Sequence, residues 1–241
     1  MSTQTETAIV KLREMLMRGD FAAGERLGEN LLAQRLQVSR TPIRLALAEL
    51  AKEGLLEYKT NCGFEVRSFS IDHIINAVAV REQLEGMAAA RAAEMGVSEA
   101  HAKTLESCLL QIDGLLLKPE LDHRDVRNWA EVNGIFHGTI VTASGNEVIA
   151  DMLKRLEHIP LAASRTFAGT YESLTAQQAV IRKSQVEHRW VYEAIMSKNS
   201  GRAETLMKQH VMEGRQNLRR VLERLQSEGD HNKHPFLKLF A

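Results

Sequence analysis

The stretch Glu29 to Glu53, ENLLAQRLQVSRTPIRLALAELAKE, decides the fold. Glu29 to Leu36 fits a short helix, and Thr41 to Glu53 fits a second, with Ala46, Leu47, Leu50 and Ala51 marking its buried face. Gly54 supplies the stop, and only Gln37, Val38, Ser39 and Arg40 separate the two helices. Upstream, Ala8, Ile9, Leu12, Met15 and Leu16 recur at helical spacing until Gly19, ahead of the turn Asp20 to Gly24. Downstream the period changes: Leu55 to Lys59, a turn Thr60-Asn61-Cys62-Gly63, then Phe64 to Arg67 predict a β-hairpin. Three helices and a hairpin make the plan of a winged helix-turn-helix, whose second motif helix enters the DNA major groove amino-end first.

That geometry makes the groove-facing residues readable. Ser39 can cap the reading helix, Pro42 is tolerated in a first turn that has no intrahelical partner for its amides, and Arg40, Thr41 and Arg44 cluster at the same end. An arginine there can grip a guanine edge bidentately, whereas Arg35 on the preceding helix is placed for phosphate, and Lys59 and Asn61 ride on the wing. Charges at helical spacing more often only solvate a surface; here their coincidence with the whole motif favours operator DNA as partner. One reading helix covers one half-site, so the motif also predicts a homodimer on an inverted repeat.

Composition neither supplies nor forbids this reading. Lys and Arg number 31, as do Asp and Glu, so the 241-residue chain has no basic excess that would announce nucleic acid. No basic leader precedes an apolar run and no stretch approaches a membrane span, which predicts a cytoplasmic protein without membrane partners. Cys62 and Cys108 are too few and too far apart for a disulfide framework or a cysteine zinc site, and Cys108 reads as a core thiol. From Ile71 strand signals vanish, and Leu- and Ala-rich periodic segments run to about Gln226, with breaks near Gly96, Lys118-Pro119, Ser144 to Asn146, Pro160 to Leu174, and Lys198 to Gly201. The expected fold is mostly α: a winged helix-turn-helix over 1–68 and an all-α bundle of six or seven helices over 71–227. A tail, 228–241, follows; its Phe236, Leu237, Leu239 and Phe240 could dock, but a frayed terminus is the default.

The bundle carries a histidine pattern. Asn133 and His137 stand four apart on one helical segment, so both side chains project from one face. His188 and His210 each stand eleven residues from Asn199, the centre of the turn between two helices, so an antiparallel hairpin sets them at the same height. Three histidines and one oxygen donor suit zinc, with nickel or manganese as alternatives, and leave positions open for water or ligand. Spacing alone is a weak signal among nine histidines, since a satisfied core or surface His is the commoner case. Trp129, Phe136 and Trp190 could line a pocket beside it, although aromatics at such spacing are more often plain core.

The residues also carry a resemblance. Gly24-Glu25-Arg26-Leu27, Leu32 to Leu36, Val38 to Arg44 and Leu50 to Leu56 resemble the GntR regulators, which implies that Arg35, Arg40, Thr41, Arg44 and the wing glycine Gly63 contact operator DNA. Leu45 departs from the family's usual Glu, and Cys62 from a common Arg. Asn133 to His137, Ala143 to Asn146, Glu187 to Ile195 and His210 resemble the FCD effector domain of the FadR subfamily. That similarity implies a divalent metal at Asn133, His137, His188 and His210, with a small carboxylate effector beside it. The usual first ligand is Asp, so Asn133 withdraws one negative charge from the site. Asn146 reads as a local helix cap. The stretch Arg81 to Met87 resembles the first long FCD helix, and an inward Arg81 near a cation would suit an organic acid; the bland alternative is an i, i+4 pair of Arg81 with Glu85.

The function expected is therefore a DNA-binding repressor whose operator affinity is changed by a carboxylate in a metal-containing helical pocket. Binding of effector and DNA would be linked through the arrangement of the two DNA-binding heads. A metal-dependent hydrolase is the first rival, but no HExxH motif, nucleophile elbow or obvious carboxylate pair accompanies the histidines. The second rival is a GntR regulator that uses no metal and senses another ligand class.

Overall fold

The computed structural model describes residues 3–159, 161–163, 173–228 and 235–239. In chain order these form α1 (Thr3–Met17), α2 (Glu29–Leu36), α3 (Arg40–Lys52), β1 (Leu56–Lys59), β2 (Gly63–Val66), α4 (Ile71–Met95) and α5 (Glu99–Leu116). Next come α6 (His123–Ala143), α7 (Glu147–Leu156), α8 (Leu174–Met196), α9 (Ser200–Glu228) and a short 3₁₀ turn, Pro235–Leu239. The fold is the one expected from sequence, a winged helix-turn-helix followed by an all-α bundle of six helices among the described residues. The chain divides into two compact units: Met1–Ile74 with His158–Pro160 and Glu223–Ala241, and Ile75–Glu157 with Leu161–Leu222.

In the first unit α1 and α3 bury Leu12, Leu16, Ile43, Leu47 and Leu50 against one another. The turn between α2 and α3 closes through Gln37, whose φ of 56° reverses the chain while the Val38 amide donates to the Ala33 carbonyl at 3.1 Å. Ser39 occupies the N-cap position with extended backbone, so α3 begins at Arg40, one residue earlier than expected. The Ser39 side chain makes no capping hydrogen bond, which corrects the capping role read from sequence. The hairpin pairs Leu56 with Val66 and Lys59 with Gly63. Gly63 holds φ +84° at its turn, a conformation that side chains rarely adopt, and this is the physical reason for glycine there.

Two features of this unit were not visible as periodicity. Gly24 to Leu27 runs beside β2: the Gly24 amide donates to the Val66 carbonyl, Val66 to Glu25, and Leu27 to Phe64. The 3₁₀ turn also belongs to this unit; its Lys238 and Leu239 carbonyls accept from the Ala23 and Phe69 amides, both at 2.8 Å, and Leu237 and Leu239 are buried. The terminus is therefore docked over 235–239 rather than frayed, while Phe240 and the Phe236 ring lie outside the described residues.

In the second unit, Ala88, Ala89, Ala92 and Ala93 give α4 a smooth buried face. Cys108 is buried on α5 as a free thiol, and Phe136 and Ile140 fill the centre from α6. Helix starts are well marked: Asp122 and Asp125 form a capping box on α6, and Asn146 accepts from the Val148 and Ile149 amides on α7 at 3.1 and 3.2 Å. Asn146→Ala is expected to lower stability by about 1 kcal/mol, read as a small fall in urea midpoint at unchanged slope. An unchanged midpoint would mean that α7 does not depend on its cap.

Candidate functional site

The residues expected to read DNA lie on the exposed face of α2 and α3. Arg44 donates from Nε and Nη2 to the two carboxylate oxygens of Glu29, at 2.9 and 3.0 Å, and Arg40 Nη2 stands 3.9 Å from the same group. The hydrogen bond from Arg44 holds the Glu29 carboxyl below its usual range, against an opposing effect of burial. Arg35 contacts Asp20 at 3.2 Å and lies over the Phe21 ring. Ser39 and Thr41 are exposed at the amino end of α3. On the wing, Lys59 donates to Glu65 at 2.5 Å, and Arg26 bonds both Glu65 and the Cys62 sulfur. Each of these cations is thus oriented by a local partner while remaining at the surface.

The bundle brings the three histidines together. Helix α6 presents His137, α8 His188 and α9 His210, and one ring nitrogen from each falls within 4.8 Å of the others. Asn133, one turn before His137, is buried and lines the same cavity of about 500 Å³, together with Arg81, Trp129, Lys183 and His210. Phe136 packs against His188 with ring centroids 4.5 Å apart, whereas Trp190 is half exposed and is not among the residues that line this cavity.

Two carboxylates that spacing did not single out as partners orient the imidazoles. Glu85 on α4 meets His137 Nδ1 at 2.5 Å, and Glu187 on α8 meets His210 Nδ1 at 2.7 Å. With each Nδ1 proton committed to a carboxylate, both Nε2 lone pairs point away from it, and these two nitrogens stand 3.3 Å apart. His188 is fully buried, and neither ring nitrogen has a hydrogen-bond partner among the described residues. Burial, reinforced by His210 and His137, holds its pKa well below the ordinary histidine value and so keeps it neutral. Burial also lowers His210, partly offset by its bond to Glu187. For Glu85 burial acts upward, but His137, Arg81 and His210 outweigh it and hold the carboxyl down to about 2.

Arg81 is buried in the same wall. Its Nε lies 3.2 Å from Glu85 and its Nη1 donates to the Ala162 carbonyl. The i, i+4 pair read from sequence is therefore present, and the side chain also borders the cavity.

A winged helix-turn-helix followed by an all-helical bundle is the architecture of a transcription regulator. Residues 4–66 match the gntR family of bacterial regulatory proteins and residues 76–213 match the FCD domain; the chain belongs to the GntR regulators that carry an FCD domain. The HTH-type transcriptional regulator YdhC of Bacillus subtilis is 28% identical over 226 residues, 92% of either chain. The HTH-type transcriptional repressor GlaR of Escherichia coli is 27% identical over 204 residues, 83% of this chain and 89% of its own. The solved structure of E. coli McbR/YncC shares the fold at a TM-score of 0.63 and 21% identity, over 90% of this chain and 98% of that one. These relatives are regulators, which sets the hydrolase reading aside. Among the described residues no helix is long and apolar enough to cross a membrane.

Proposed function

We propose that the chain is a homodimeric repressor of an inverted-repeat operator, whose DNA affinity is changed by a small carboxylate bound beside a divalent metal ion in the histidine cavity. Residues 1–68 serve as the reading head and 71–227 as the sensor and dimerisation domain, in the manner of the FadR subfamily. The repressor reading draws on GlaR, which is named as a repressor.

One observation carries the metal reading: the 3.3 Å approach of the His137 and His210 Nε2 atoms, beside a buried His188 whose ring nitrogens have no hydrogen-bond partner among the described residues. Two imidazole nitrogens on one tetrahedral ion, each about 2.0–2.1 Å from it, stand roughly 3.4 Å apart, so this pair of donors already has the spacing that such an ion requires. His137, His188 and His210 would hold the ion with the Asn133 amide oxygen; zinc suits this set, and nickel or manganese are the alternatives. The ion supplies positive charge for an anionic ligand when bound. Glu85 and Glu187 fix which nitrogen of each ring is free, and Arg81 offers a second cation across the cavity. On DNA, Arg40, Thr41 and Arg44 read base edges, while Arg35, Ser39, Lys59 and Gly63 position the head on the backbone.

A thermal-shift screen of small carboxylates with and without zinc tests the pocket, followed by titration of a labelled fragment from upstream of the chain's own gene. Stabilisation by a carboxylate only when zinc is present, with a matching change in DNA affinity, is the expected result; no shift by any carboxylate with zinc contradicts it. Asn133→Asp is expected to tighten zinc about tenfold or more, because a carboxylate replaces a neutral amide among three neutral imidazoles. Calorimetry of both proteins checks this, and equal affinities would remove Asn133 from the ligand set.

A further inference from the structure

Within the bundle, the cavity beside the histidines has a neighbour. A second cavity, of about 340 Å³, is lined from α4, α6 and α7, and Arg81 and His137 border both. Its volume falls within the range of small-molecule sites, roughly 300–1,000 Å³. Val141 of α6 and Ala150, Leu153 and Leu156 of α7 give it apolar sides. Polar groups on its walls are already engaged: Glu85 meets His137 at 2.5 Å and Arg81 Nε at 3.2 Å, and the Thr142 hydroxyl donates to the Gly138 carbonyl at 2.9 Å. Lys154, which also borders it, is exposed to solvent. These walls suit a guest that packs and brings no further charge.

Gly138 stands where this cavity meets α6. It lies in the interior of a 21-residue helix, where glycine is less stable than alanine. Neither usual reason for a glycine applies: its φ is not positive, and a Cβ added there would meet nothing within 4 Å. Gly114 and Gly201 have the same open surroundings but lie in the last turn of α5 and the first turn of α9. Gly134, His137, Gly138 and Val141 all border the cavity and are three or four residues apart on one face of α6, so a side chain at 138 would enter it. What the missing side chain preserves is the space itself.

We propose that this second cavity receives the uncharged body of the effector acid, a ring or branched chain of about phenyl size, and that Gly138 sets the largest body admitted. The carboxylate stays at Arg81, which borders both cavities, while the body lies on the α7 side. The inference rests on the proposed reading of the histidine cavity as a carboxylate site, and adds the chemical class of the acid. It makes Gly138 a specificity-determining position whose glycine trades helix stability for room.

Calorimetry of the zinc-loaded full chain compares acetate with phenylacetate, which share a carboxylate and differ by one phenyl ring. Burial of that ring is expected to make phenylacetate bind about tenfold tighter or more. Gly138→Leu should cancel the preference, weakening phenylacetate about tenfold while leaving acetate within about twofold. Gly138→Ala should weaken phenylacetate about threefold and raise the melting temperature of the ligand-free chain, since alanine is the better helix former. Equal affinities for the two acids in wild type, equal losses of both in Gly138→Leu, or a lowered melting temperature in Gly138→Ala overturns the assignment. Loss of the zinc-dependent thermal shift in both variants would trace their effect to His137 and also overturn it. Toluene probes the cavity without a carboxylate: it should raise the melting temperature of wild type and not of Gly138→Leu. Failure of both acids to bind counts against the carboxylate reading, and toluene then decides the cavity, equal shifts or none overturning it. Should Gly138→Leu not fold, Gly138→Ala takes its place in both comparisons.

Discussion

Arg44→Ala is expected to erase most of the preference for operator over random DNA. Each bidentate arginine–guanine pair contributes about 1–3 kcal/mol of discrimination, and two half-sites double this to about 2–6 kcal/mol, roughly 30-fold to 10⁴-fold. Glu29 orients the guanidinium through its Nε and Nη2 edge, which leaves the Nη1 edge to meet a base at the exposed amino end of α3. Being exposed, it can be removed with little effect on folding. Arg35→Ala should instead weaken operator and random DNA alike, as loss of a phosphate contact does. Competition titrations at fixed salt separate the two cases; equal losses on both DNAs for Arg44→Ala would move base reading to other residues.

The second large effect concerns His188 and His210. An ion present at a thousandfold its dissociation constant stabilises the folded chain by about 4 kcal/mol, and at about 2–4 °C per kcal/mol this is a shift of roughly 8–16 °C. His188→Ala and His210→Ala should each abolish that shift. Both changes also remove buried atoms, so the comparison is made within each variant, with zinc and with chelator. A zinc-dependent shift that survives in either variant removes that histidine from the site.

Much of the first unit was legible because its signals are local. The α2 boundaries follow from apolar spacing and Gln37, and the hairpin from a change of period around a glycine that must adopt positive φ. The meeting of His188 and His210, with ring centroids 4.6 Å apart, follows from counting turns along two helices joined by a short connection. What spacing could not give were partners from other elements. Glu85 was visible as a neighbour of Arg81 one turn away, but its bond to His137 crosses 52 residues. Glu187, adjacent to His188 in sequence, turns about 100° away from it on the helix and serves His210 instead. The docked 235–239 turn was also hidden, because five residues carry no period and its bonds are to Ala23 and Phe69. Ser39 shows the opposite failure: a good capping residue in the capping position whose side chain is not used.

The most direct test of the metal-dependent sensor is the ion content of the full chain. Chelator-treated protein is titrated with zinc, dialysed and assayed by elemental analysis, beside His137→Ala treated in the same way. One zinc per chain in the wild type and none in the variant is the expected result. No zinc retained by wild type even after saturation would contradict it, and would leave the three histidines as a polar wall that meets the effector without a metal.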